Sequence, residues 1–274
     1  MSAPDYEAEY NNRARVPEHP AVIEGWTRDA AAYRQDAAAR RQAMPYGPGE
    51  REAIDLFVPE NPAPGATVLF IHGGYWQALD RLAFSHMARG LNAHGLAVAV
   101  PGYPLCPQVR VGDIVAALRA ACGRLADRGP LVAAGHSAGG HLAACLLATG
   151  WAAQGLSADL VPAAYAISGL FDLTPLVSTS VNGALGLDAP EAERLSPLLW
   201  PAPAGKALDA VVGAEESGEY LRQSRAIVDA WGAAGVRTRF EAVPGANHFT
   251  IVAPLADPDS SMTRRVAELA RAAR

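Results

Sequence analysis

Five residues constrain this chain more than any others: Gly135-His136-Ser137-Ala138-Gly139, a G-x-S-x-G set. They close the apolar run LVAAG (131–135) and lead into an apolar stretch, 138–149, that reads as helix. A serine on a tight strand-to-helix turn has its hydroxyl lifted clear of the sheet. The flanking glycines leave room for neighbouring backbone. The N-terminus of the following helix favours negative charge developing nearby. The segment carries neither G-x-G-x-x-G nor GK[ST], which argues against a nucleotide-phosphate loop. A glycine-rich turn without chemistry is the plain alternative to a nucleophile at Ser137. The two readings separate on whether partners for the serine exist elsewhere in the chain.

The surroundings predict where that turn sits. TVLFI (67–71), LAVAV (96–100), LVAAG (131–135), AAYAI (163–167) and DAVVG (209–213) are short apolar runs, the pattern of strands buried on both faces. Helical patterns separate them at about 80–93, 108–127 and 138–149, the second with Ile114, Val115, Leu118 and Leu125 on one side. A helix over SGEYLRQSRAIVDAWGAAG, a strand over RTRFEAV and a C-terminal helix follow. EAIDLFVP, with Ile54, Leu56 and Val58 alternating, reads as an earlier strand. Residues about 21–44 are Ala-rich and read as one helix ended by Pro45. Strands alternating with helices predict an α/β fold with a mostly parallel central sheet and helices on both faces. No repeat or linker divides residues 1–274, so a single domain is expected, with 1–46 as an N-terminal helical segment. Active sites of such sheets lie at the carboxyl ends of the strands.

Partners for Ser137 are present. His72-Gly73-Gly74-Tyr75-Trp76 follows the strand TVLFI. Paired glycines let backbone N–H groups converge, so Gly73 and Gly74, with the N–H of Ala138, are candidates for an oxyanion hole. His72 is read as a brace for that loop, since no metal-binding spacing surrounds it. Tyr75 and Trp76 either pack the loop or line a pocket, and Phe249 is a further pocket candidate. In this order of elements the acid and then the histidine follow the serine. Of seven histidines only His141 and His248 come later, and His141 rides the helix that starts at the serine. His248, in the loop PGANHFTIV after RTRFEAV, is therefore the candidate base. The acid is expected just after DAVVG, where Glu215 and Glu216 are both candidates and Glu216 is favoured; Asp172 in GLFDLTPL is a weaker third. A non-catalytic binding module of the same architecture would have lost the serine or the histidine, and both are here.

Composition excludes several classes. Half of the residues are hydrophobic and 19% are charged, ample for a large core. The net charge is −5 and the basic residues are scattered, which gives no footprint for nucleic acid. Arg264, Arg265, Arg271 and Arg274 read as a solvated helix face. Cys106, Cys122 and Cys145 form no CxxC pair and read as reduced, buried thiols. The N-terminus MSAPDYEAEYNNR lacks the basic start and apolar centre of a signal peptide, so a cytoplasmic location is expected. Residues 129–158 carry no Asp, Glu, Lys or Arg, but Gly135, His136, Gly139, Gly140 and His141 interrupt them, so no membrane span is expected. No metal or cofactor is called for, and the expected partner is a small-molecule substrate. The oligomeric state is not legible, with a homodimer one option.

Several segments, in order, resemble the kynurenine formamidase (arylformamidase) branch of the α/β-hydrolase superfamily: HGGYW, GHSAGGHLA, SGLFDLTPLVST, LSP, GAEESGEYLRQS and NHF. Tyr10-Asn11-Asn12-Arg13, Trp26, Pro45-Tyr46-Gly47 and Asp55-Leu56-Phe57 extend the resemblance over nearly the whole chain. HGG and GxSxG are shared by many esterases; LFDLTPL and SGEYLRQS discriminate better. The resemblance implies an α/β-hydrolase fold, a serine hydrolase acting on an aryl formamide or ester, and an N-terminal segment capping the site. It carries the nucleophile, the oxyanion glycines and the histidine onto Ser137, Gly73, Gly74 and His248. It also favours Glu216 as the acid, since the family's acid precedes the serine of its S-x-E-aromatic segment. Animal members have aspartate at that position, so the glutamate is a departure. Many bacterial members cleave simple esters, which keeps a short-chain carboxylesterase as the alternative.

Overall fold

The structure is a computed structural model and describes residues 4–273; Met1–Ala3 of the acidic N-terminus and Arg274, the last of the C-terminal arginines, lie outside them. Among these described residues eight strands form one sheet: β1 Arg41–Pro45, β2 Ala53–Phe57, β3 Thr67–Ile71, β4 Val98–Pro101, β5 Leu131–His136, β6 Ala163–Ile167, β7 Ala207–Gly213 and β8 Arg237–Val243. Their order across the sheet is β1-β2-β4-β3-β5-β6-β7-β8. The pairs β1–β2 and β2–β4 are antiparallel, and every pair from β4 to β8 is parallel. Among the described residues ten α-helices accompany them: α1 Tyr6–Tyr10, α2 Asn12–Arg15, α3 His19–Asp36, α4 Ala88–Ala93, α5 Val111–Leu125, α6 Ala138–Leu147, α7 Asn182–Leu185, α8 Ala189–Arg194, α9 Gly218–Ala233 and α10 Ser261–Ala272.

The apolar runs are central strands because each faces two cores. Along β3, Leu69 and Ile71 join one hydrophobic cluster while Val68 and Phe70 join the other. Along β5, Leu131 and Ala133 alternate in the same way with Val132 and Ala134. The first cluster is completed by α5, α6 and α9, through Ile114, Leu118, Leu142, Ile227 and Trp231. The second is completed by α3, α4 and α10, through Trp26, Tyr33, Leu91, Val266 and Ala270. Side chains of period two buried on both faces produce continuous hydrophobic sequence.

Two expectations need correction. The helix expected over about 21–44 runs only from His19 to Asp36; a 3-10 turn, Ala38–Arg40, then turns the chain into edge strand β1. Helix-favouring composition is overridden by a tertiary demand. Asp55 on β2 is fully buried, and Arg41 of β1 meets its carboxylate at 2.9 Å. A buried carboxylate without such a partner is costly. Pro45 fits because it closes a strand at the sheet's edge. The helix expected over 80–93 is two 3-10 turns, Arg81–Ala83 and Ser85–Met87, before α4. The first turn brings Arg81 within 3.5 Å of the same Asp55.

Candidate active site

The carboxyl ends of β3, β5, β6, β7 and β8 deliver the site. Ser137 follows β5 with φ +57°, in the left-handed region that a non-glycine residue enters only when its surroundings hold it there. Backbone bonds hold it: its N–H donates to Ile167 O at 2.8 Å, and its carbonyl accepts from Gly140 N–H at 2.8 Å and His141 N–H at 3.2 Å. The turn can form only with glycine at its far end. A Cβ on Gly139 would come within 2.0 Å of Ile71 O, so α6 starts against the backbone of β3.

His248 and Glu216 meet the serine. Nε2 of His248 lies 3.0 Å from Ser137 Oγ, and Nδ1 lies 2.6 Å from Glu216 Oε2. A carboxylate only accepts, so Nδ1 carries the ring proton and Nε2 offers its lone pair to the serine O–H. All three side chains are buried. The second oxygen of Glu216 accepts from Gly213 N–H at 2.7 Å and from Ser168 Oγ at 2.5 Å. The neighbouring Glu215 is exposed. Asp172 is occupied elsewhere, accepting from the N–H and hydroxyl of Thr174. Geometry therefore joins Glu216 to His248 and leaves Glu215 and Asp172 apart.

The loop after β3 lies against the serine. A Cβ on Gly73 would sit 3.0 Å from Ser137 Cβ, which puts Gly73 directly beside it. Gly74 has φ +109°, and Tyr75 and Trp76 follow with φ +49° and +57°. Among the described residues no acceptor takes the N–H of Gly74 or Tyr75. Ala138 is the first residue of α6, a position whose N–H a helix leaves open. His72 braces this loop: it is fully buried, its Nδ1 lies 2.7 Å from Gly73 O, and its ring is stacked between Phe84 and Tyr103. Burial pushes its pKa down to about 4.

A cavity of about 370 Å³ opens over Ser137 and His248. Tyr75 and Phe249, both expected at a pocket, line it. Trp76 does not: it is fully buried, packs edge-on against His141, and is absent from the cavity wall. A bulky residue at the heart of this loop serves as a packing anchor, which removes it as a substrate contact. The N-terminal segment supplies Tyr10, Asn12, Arg13 and Trp26 to the wall. Tyr75 ties that segment in, donating its hydroxyl to Tyr10 O at 2.6 Å. Asn12 Nδ2 donates to the hydroxyl of Tyr220 at 2.9 Å, and that ring lies 4.7 Å from the imidazole of His248.

Three of these residues escape a reading of the sequence. Ser168 and Tyr220 have no motif that marks their contacts, although Tyr220 falls inside the discriminating segment SGEYLRQS and Ser168 stands two residues before LFDLTPL. His136 occupies the variable place in G-x-S-x-G, yet its ring reaches the backbone of His248. The described residues contain no cluster of His, Cys, Asp or Glu suited to a metal, and no helix long and apolar enough to cross a membrane. The three cysteines are buried and unpaired.

Known proteins share this fold. The sequence model of the alpha/beta hydrolase family matches residues 68–274. Kynurenine formamidase of Danio rerio is 32% identical over 231 residues, 81% of this chain and 78% of that protein. A solved structure of a proposed thioesterase from Silicibacter sp. TM1040 is 33% identical, with TM-score 0.80 over 96% of this chain and 98% of that one. An esterase from Pyrobaculum calidifontis, at 18% identity and TM-score 0.73 over 92% and 93% of the two chains, shares the fold. The chain belongs to the alpha/beta hydrolase family, among the relatives of the kynurenine formamidases, and is a hydrolase of the formamide or ester type.

Proposed function

We propose that the protein is a serine hydrolase that removes a small acyl group from an aryl formamide resembling N-formylkynurenine, through an acyl-enzyme. The observation that carries this reading is the continuous hydrogen-bonded chain Ser137–His248–Glu216 at the base of an aromatic-lined cavity. Ser137 Oγ attacks the carbonyl while Nε2 of His248 takes its proton. Glu216 holds the imidazole tautomer and stabilises the imidazolium. Gly73, Gly74 and Ala138 supply the N–H groups for the tetrahedral oxyanion; one such donor is typically worth about 3 kcal/mol of barrier. His248 then protonates the leaving amine, and water, activated by the same imidazole, releases the acid. No cofactor or metal takes part in this sequence of steps.

Three features favour an aryl formamide. The relatives named kynurenine formamidase span most of the chain. Trp26 and Phe249, 6.2 Å apart between ring centroids, give the cavity an aromatic wall. Arg13 is the only permanently charged side chain on the wall, and it has no ion-pair partner among the described residues, so it suits a carboxylate on the leaving group. The likeness to a proposed thioesterase supports a second reading, a short-chain ester or thioester as substrate. Three buried, unpaired thiols accord with work in a reducing compartment such as the cytoplasm.

The test is kcat/KM for N-formylkynurenine beside p-nitrophenyl acetate, on wild type and Ser137→Ala. The formamidase reading predicts that N-formylkynurenine is much the better substrate and that both activities depend on Ser137. Cleavage of the ester alone refutes the formamide and leaves the ester reading.

A further inference from the structure

Glutamate carries one methylene more than aspartate, and with it one more torsion through which the carboxylate can swing away from the imidazole. In this site that freedom is removed from outside. Ser168 follows β6, is fully buried, and donates its hydroxyl to Glu216 Oε1 at 2.5 Å. Gly213 N–H donates to the same oxygen at 2.7 Å, so the opposite oxygen, Oε2, is turned to His248 Nδ1 at 2.6 Å. The Ser168 hydroxyl makes no other bond among the described residues. Its backbone has φ +50°, where glycine, asparagine or aspartate would be usual, and its N–H is anchored to Val211 O at 2.7 Å. A strained, buried serine with a single hydroxyl contact is placed for that contact.

We infer that Ser168 is a positioning residue that adapts this site to a glutamate acid by fixing the carboxylate plane toward His248. The inference rests on the proposed roles of Ser137, His248 and Glu216. A charge-assisted hydrogen bond of this kind is strong and directional, and its loss frees the carboxylate to rotate. An aspartate at position 216 is shorter by one carbon and lacks the reach to hold His248 and Ser168 together, so the serine becomes superfluous there.

The experiment is a double-mutant cycle between Ser168→Ala and Glu216→Asp, with kcat and KM measured on p-nitrophenyl acetate and Ser137→Ala as the control. The expected result is a fall in kcat of about ten- to a hundredfold for S168A, with KM within about twofold. The same change is expected to have little effect in the E216D background. Ser168→Gly, which relieves the left-handed strain while also removing the hydroxyl, is expected to lose turnover as S168A does. Wild-type kcat in S168A or S168G overturns the inference, as does an equal loss from S168A in both backgrounds. Retained activity in S137A would instead refute the underlying reading of the site, so the two failures are distinguishable.

Discussion

His136 Nε2 lies 2.8 Å from the main-chain oxygen of His248, so the residue just before the serine holds the backbone of the residue that meets it. A carbonyl oxygen only accepts, so His136 donates from Nε2. Burial pushes its pKa down to about 3, which keeps the ring neutral beside His248. The bond links the end of β5 to the loop after β8. His136→Ala is expected to lower kcat about tenfold while KM changes little, because small displacements of reacting groups are costly. Steady-state kinetics on a folded variant checks this; an unchanged kcat would mean the loop holds itself.

The acid is specified by one contact. Glu216→Gln keeps the shape of the side chain but removes the charge and favours the wrong imidazole tautomer, so turnover is expected to fall by about 10⁴-fold. Glu215→Gln alters a solvent-exposed loop carboxylate and is expected to leave turnover within about twofold. The pair, assayed together, discriminates adjacent residues of the same type.

Folding also makes the protein sensitive to acid. Burial lowers His72, His86 and His141 to about 4 and His136 to about 3, against an ordinary value of 6.5. The unfolded chain therefore takes up these protons first. Stability is full above about pH 6.5 and declines as pH falls toward 4, by up to about 1.4 kcal/mol per histidine per pH unit. Urea unfolding at pH 7, 6 and 5 is expected to show a steep decline, reduced in His141→Gln. A midpoint flat across that range would contradict the burial of these rings.

Much of this arrangement is legible in the sequence, for a physical reason. Strands buried on both faces must be apolar throughout, so TVLFI and LVAAG declare themselves, and the serine turn between β5 and α6 follows from its glycines. The edge strand β1 is hidden because RQAMP has the composition of a helix end; what makes it a strand is the charge on Asp55 across the sheet. The sequence favours Glu216 over Glu215 only through the resemblance of its segment; the physical difference is that Glu216 faces the loop of His248 while Glu215 is exposed. Ser168 and His136 are invisible because their contacts cross between loops far apart in sequence.

Close approach at the turn predicts an intolerant position. Gly139→Ala drives a methyl group onto Ile71 O, and neither backbone can yield without moving β3 or α6. The expected cost is about 3 kcal/mol or more, enough to lower Tm sharply or abolish soluble expression. A variant with wild-type Tm would show that α6 can retreat.

Arg13 predicts a split between substrates. Arg13→Met is expected to raise KM for N-formylkynurenine about fivefold and leave p-nitrophenyl acetate unchanged, since only the first carries a carboxylate. Equal effects on both would assign Arg13 to the fold of the N-terminal segment.

Whether Ser137 is the nucleophile is decided by intact-protein mass spectrometry after treatment with a fluorophosphonate. A nucleophilic Ser137 predicts a single phosphonyl adduct on folded wild type, mapped to Ser137 by peptide analysis and lost in Ser137→Ala. A folded wild type that stays unmodified, or an adduct that persists in Ser137→Ala, would contradict it.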